Sequence, residues 1–182
     1  LFCEKARADY DATAEKLLSI AQKKATTEEE WEVVFAAVRL MGKYSSPEAV
    51  EFLMSDRADV IDRRWFIYHG AAGRPIGVAD FIEVTSPPDE MTVRDFLSPP
   101  SSALIDIGMA AVPPLVQGIA REGSVTVWPS VLVNICGPCF AIVRLREALE
   151  TDVPVEHKEN LREAITELET MYGRFREEEA GN

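Results

Sequence analysis

The chain has 182 residues, 47% of them hydrophobic and 27% charged, the balance of an ordinary folded protein rather than a disordered tail. Its 31 acidic side chains against 19 basic ones leave a formal charge of −12, which repels a phosphate backbone and argues against a nucleic-acid partner. Three cysteines are too few for a disulfide framework, and the longest apolar run, residues 109–116, carries two prolines and falls short of the ~20 residues of a membrane span.

In chain order, the first pattern is a helical stripe: Tyr10, Ala14, Leu17, Leu18 and Ala21 recur at a spacing that puts them on one face. Thr27 followed three residues later by Glu30 predicts a capping box, in which each side chain satisfies a backbone N–H of the other residue. Trp31, Val34, Phe35, Val38 and Met41 then form a second stripe. Ser46-Pro47-Glu48 predicts a third helix start: a capping hydroxyl, a proline where no N–H is needed, and a carboxylate favoured by the helix dipole. Residues 83–102 hold four prolines and predict an irregular connection, with Ser101-Ser102 as cap and turn residues after Pro99-Pro100. Strand signals are limited to the β-branched runs 125–127 and 131–133, and the second suits a buried helix equally. Leu161, Ile165, Leu168, Tyr172 and Phe175 predict a long final helix over 155–178.

A grammar recurs along these helices. "LMGKYSSPEAVEFL" and "ALIDIGMAAVPPLV" each show an apolar stretch, a glycine break, Ala-Val and a second apolar stretch. "VLVNICGPCFAIVRL" repeats it with Gly137 as the break, and residues 63–82 form a degenerate copy around Gly73. The first two segments resemble HEAT-type repeats, whose first helix ends Ile-Gly and whose second opens Ala-Val-Pro. The resemblance implies an all-α single domain, a stack of antiparallel helix pairs with units near 30–56, 57–84, 96–122 and 126–151. Glycines 42, 73, 108 and 137 would mark the reversals, each able to take positive φ. It also implies a binding or scaffold role without catalytic groups or cofactor, and a protein partner.

Two sets of residues carry chemistry of their own. Arg63, Arg64, Trp65 and Tyr68 combine arginine with aromatic rings, a composition common at protein contacts; Trp65, Phe66 and Tyr68 lie too close together for one narrow stripe to bury them all. The ordinary expectation is that two of these rings enter the core and one lies at a helix–helix seam. Cys136-Gly-Pro-Cys139 suits a thiol-disulfide redox pair, the alternative function, which needs a low-pKa thiolate at a helix N-terminus. A turn between two packed helices accounts for it better: Gly137 fills the break position and Pro138 suits the first turn of the next helix. Metal binding is not expected, since His69 and His157 are far apart in sequence and the CxxC has no second half. The compartment stays open.

Overall fold

The computed structural model describes residues 2–44, 46–68, 97–123, 127–151 and 153–180, and among these every regular element is helical. The order is α1 (Phe2–Gln22), α2 (Glu28–Met41), α3 (Pro47–Leu53), α4 (Asp56–Tyr68), α5 (Pro99–Ile107), a 3₁₀ turn (Gly108–Ala111), α6 (Val112–Glu122), α7 (Trp128–Cys136), α8 (Pro138–Leu149) and α9 (Val155–Ala180). The all-α class read from the sequence holds. Gly73 and the part of its unit beyond Tyr68, His69 and most of the proline-rich connection lie outside the described residues.

The helices sort into two compact units, α1–α5 and α6–α9. In the first, the α2 stripe is wholly internal: Trp31, Val34, Phe35, Val38 and Met41 are all buried. Its start is the expected capping box. Glu30 N–H donates to Thr27 Oγ1 at 3.3 Å, and the Glu30 carboxylate accepts from Thr27 N–H at 3.1 Å and from Thr26 N–H at 2.6 Å. The two backbone bonds, then the Thr26 hydroxyl, hold the Glu30 pKa below its usual value. Helix α3 opens as expected, with Ser46 Oγ accepting from Ala49 N–H at 3.1 Å and Pro47 in the first turn. On α1 the inner residues Leu17 and Ala21 are buried, whereas Tyr10 stays exposed.

Helix α5 joins this unit together. It packs against α2, α3 and α4, and its Ala103 and Leu104 are essentially inaccessible. Its start departs from the sequence expectation. Ser98 is the N-cap, Pro99-Pro100 open the helix, and Ser101 and Ser102 lie inside it rather than in a cap or turn. Two prolines in succession fit the first helical turn, where the N–H groups they lack would be unpaired in any case.

Gly42 departs as well. It closes α2 in a right-handed conformation (φ −58°, ψ −22°), so no positive φ is needed there. What it provides is proximity: a Cβ at this position would lie 2.8 Å from Asp106 Cβ and 3.0 Å from both Cα and O of Ala103. Next to it, Lys43 Nζ pairs with Asp106 at 3.3 Å, tying the end of α2 to α5.

In the second unit α6, α7 and α8 pack on one another, and α6 and α8 each pack on α9. Leu115, Ile119, Val131, Leu132, Leu145, Leu161 and Leu168 form its core. Val131–Val133, a candidate strand by composition, is helical. Asn160 of α9 caps the far end of α6, donating through Nδ2 to Ala120 O at 2.8 Å and Arg121 O at 3.3 Å. Arg146 and Glu169 pair at 2.5 Å between α8 and α9.

Gly137 alone joins α7 to α8, at φ 78° and ψ 157°, a region open essentially to glycine. The chain bends there by 119°, short of the full reversal expected for a hairpin. The physical reason is length: a single residue between a helix end and Pro138 leaves no loop in which to turn back. Gly108 also has positive φ, at 70°.

By length and composition, Pro99–Glu122 is apolar enough to cross a membrane, although no uninterrupted apolar run within it reaches that length. Its Ser, Gly and Pro residues hardly lower the mean, yet they break the run. Leu104, Val112, Leu115 and Ile119 within it are core residues, whereas Ile105, Ile107 and Val116 are half-buried.

Candidate functional site

The arginine–aromatic set lies on α4, and the structure distributes it over two faces. Phe66 is buried in the core. Trp65 is half-buried at the α2–α4 seam, edge-on to Phe35 with ring centroids 5.2 Å apart. Phe35 in turn lies 5.7 Å from the Trp31 ring. Cations cover the two tryptophans: Arg39 sits 4.6 Å from the Trp65 centroid, and Arg57 and Arg64 sit 5.5 Å and 5.7 Å from that of Trp31. Arg57 also donates to Lys23 O at 2.5 Å. These contacts use ring faces as cation platforms inside the unit, so Arg64 and Trp65 hold α2 against α4.

The opposite face of α4 is different. Val60 and Ile67 are 46% and 65% exposed, and Arg63 lies exposed between them. Positions 60, 63 and 67 share one helical face, so the surface of α4 is an apolar pair around a guanidinium. The side chain of Tyr68 lies outside the described residues. Sequence reasoning singled out Arg63 but missed Val60 and Ile67, because an exposed aliphatic residue looks the same in sequence as a core one.

Along the inner side of α4, Asp62 is half-buried, with its Oδ1 inaccessible to water. The Ser98 hydroxyl, which donates to Ser101 Oγ at 3.1 Å at the cap of α5, acts on this carboxylate from α5, while Asp62 Oδ1 has no hydrogen-bond partner among the described residues. Burial is the main cause that pushes its pKa up, from 3.8 to about 6; the Ser98 bond and Arg63 oppose this, and Asp59 adds to it. Asp59 is raised as well, mainly by burial and further by Asp56, against Arg63.

An open groove of ≈ 690 Å³ runs between α1 and α3. Tyr10, Ala14 and Leu18, spaced i, i+4, i+8, form its α1 wall, and Asp11, Glu15 and Glu48 bring three carboxylates to it. Tyr10 stacks on Tyr44 with centroids 4.7 Å apart and donates to Lys43 O at 3.3 Å. No Lys or Arg is among the described residues lining the groove.

The cysteine pair straddles the elbow. Cys136 is the last residue of α7 and Cys139 the second of α8, and both are free thiols. Cys136 Sγ donates to Leu132 O at 3.1 Å, and burial raises its pKa, with Arg144 acting weakly against this. A thiol at the carbonyl end of a helix and bonded to a carbonyl is stabilised in its protonated form, the reverse of an activated nucleophile. Cys139 is exposed. Iodoacetamide at pH 8 is therefore expected to label Cys139 roughly tenfold faster than Cys136, followed by peptide mass spectrometry. Equal rates would show that the Cys136 hydrogen bond does not protect its proton.

Among the described residues no group of three or more His, Cys, Asp or Glu side chains is placed to hold a metal ion. His157 is half-buried, with Glu156 3.9 Å away.

No protein-family model matches the chain, and no curated protein or solved structure is similar to it. Function is therefore read from the side chains themselves.

Proposed function

We propose that the chain is a non-enzymatic protein-interaction module built from HEAT-like helix pairs, with a contact face on the outside of α4. The observation that carries this reading is the exposed Val60–Arg63–Ile67 face on a helix whose other side is committed to the core. Apolar side chains bordering an arginine are the composition of a contact centre, where desolvation of the aliphatic groups supplies affinity and the guanidinium supplies direction. The recurrent glycine-break grammar supports the repeat architecture, and helical stacks of that kind present extended surfaces. Arg64 and Trp65 contribute by holding α4 in place rather than by touching a partner.

The test is a double variant, Arg63→Ala with Ile67→Ala. Both side chains are exposed, so the unfolding midpoint is expected to stay within roughly 2 °C of the parent. Quantitative co-purification from native extract should show the principal partner reduced about tenfold or more. Full retention of every partner by a folded variant would reject α4 as the contact face.

A further inference from the structure

The groove between α1 and α3 has a construction separate from the α4 face. Its α1 wall is an apolar stripe of Tyr10, Ala14 and Leu18, running two turns along the helix. Carboxylates flank that stripe: Asp11 and Glu15 on α1, and Glu48 on α3 across from them. The nearest lysine on the α2–α3 connection, Lys43, is held by Asp106 and does not line the groove. Three acidic groups bordering one concave surface repel each other, and among the described lining residues no cation neutralises them.

We infer that this groove docks a cationic amphipathic segment of a partner protein, one whose aliphatic side chains lie along Tyr10, Ala14 and Leu18 while its Lys or Arg residues reach Asp11, Glu15 and Glu48. Helix-in-groove recognition lays the apolar face of a docking helix, with anchors at i, i+3, i+4 and i+7, along such a hydrophobic wall. The apolar stripe distinguishes this groove from the acidic surface at large, because a charge without an apolar floor attracts a polycation but does not orient it.

The test uses a synthetic amphipathic peptide of about 14 residues, composed of Leu and Lys at helical spacing, with fluorescence anisotropy as readout. A peptide of the same pattern with Glu for Lys, and a scrambled Leu/Lys peptide of equal charge, serve as controls. Binding of the patterned Lys peptide is expected to exceed that of both controls by about tenfold or more and to weaken with salt. Glu15→Lys with Glu48→Lys should reduce affinity by at least about tenfold, and Ala14→Trp, which fills the groove without altering charge, should do the same. Glu163→Lys with Glu167→Lys on α9, neither of which lines the groove, makes the same net-charge change and should leave affinity within about twofold. Hydrogen exchange should slow in residues 9–18 and 46–53 on peptide addition.

The inference is overturned if the scrambled peptide binds as well as the patterned one. It is overturned equally if the α9 variant loses as much affinity as the groove variant, since attraction would then follow net charge alone. Circular dichroism of each variant establishes that it is folded, and Ala14→Val provides a milder filling substitution should Ala14→Trp unfold. The α4 reading is independent: the Arg63/Ile67 variant is expected to bind this peptide normally, so either proposal can fail without the other.

Discussion

Replacing Asp62 by Asn is expected to abolish a loss of stability that the parent protein suffers as pH rises from 4 to 7. The carboxyl is buried beside the cap of α5, and its folded-state pKa of about 6 exceeds the 3.8 of an ordinary aspartate. A group with a raised acid pKa binds its proton more tightly in the folded chain than in the unfolded one. Its contribution to stability is therefore most favourable below the unfolded pKa. It is lost as pH climbs toward and through the folded pKa, and flat above it. A shift of this size corresponds to about 3 kcal/mol, before any relief from water or side-chain movement. In Asp62→Asn, the amide keeps the shape of the side chain and never ionises. Urea unfolding of both proteins should show the parent losing about 2–3 kcal/mol relative to the variant between pH 4 and pH 7.5. A pH-independent difference between them would mean that the carboxylate ionises freely in the folded state.

The second large effect concerns Gly42→Ala. By backbone preference alone the substitution should stabilise, since Gly42 has helical dihedrals and alanine is favoured there by roughly 0.5–1 kcal/mol. The packing reverses that sign. The new methyl would meet Asp106 Cβ at 2.8 Å and the Ala103 main chain at 3.0 Å, so α2 and α5 must separate. Overpacking of this type costs typically about 1–3 kcal/mol, and the upper part of that range is expected because two of the three atoms met belong to backbone. The midpoint of urea unfolding should fall accordingly. A second-site Ala103→Gly should not restore it, because the opposing atoms are Cα and the carbonyl oxygen. Stabilisation of Gly42→Ala would show that the two helices separate at no cost.

These two sites also show where a sequence is readable and where it is not. The Thr27–Glu30 box, the Ser46 cap, the α2 stripe and the long last helix were legible because each is written within a few consecutive residues. Local periodicity determines which face is apolar, and the structure buries that face. Gly42 was legible as a break but not as a contact point, because its reason for being glycine is Ala103 on a helix distant in sequence. Asp62 sits in "DRADVIDRRW", a run of alternating charges that describes a wetted helix face. Tertiary packing, which no local pattern records, makes that one carboxylate internal. The α5 start was misread by three residues for a related reason: serines stand on both sides of Pro99-Pro100, and only the fold decides which of them caps. At the candidate sites, Arg63 and Arg64 are adjacent in sequence yet serve opposite faces of α4, since neighbouring residues on a helix point about 100° apart.

Helix α5 has a consequence for how the protein comes into being. On the ribosome, α1 to α4 emerge well before α5, whose Ala103 and Leu104 supply the inner surface on which α2, α3 and α4 settle. Until residue 107 clears the exit tunnel, the faces of α2, α3 and α4 that pack on α5 lack their covering neighbour, and the growing chain carries that uncovered apolar surface until then. The first half of this polypeptide thus cannot close its core for as long as its keystone is still being translated.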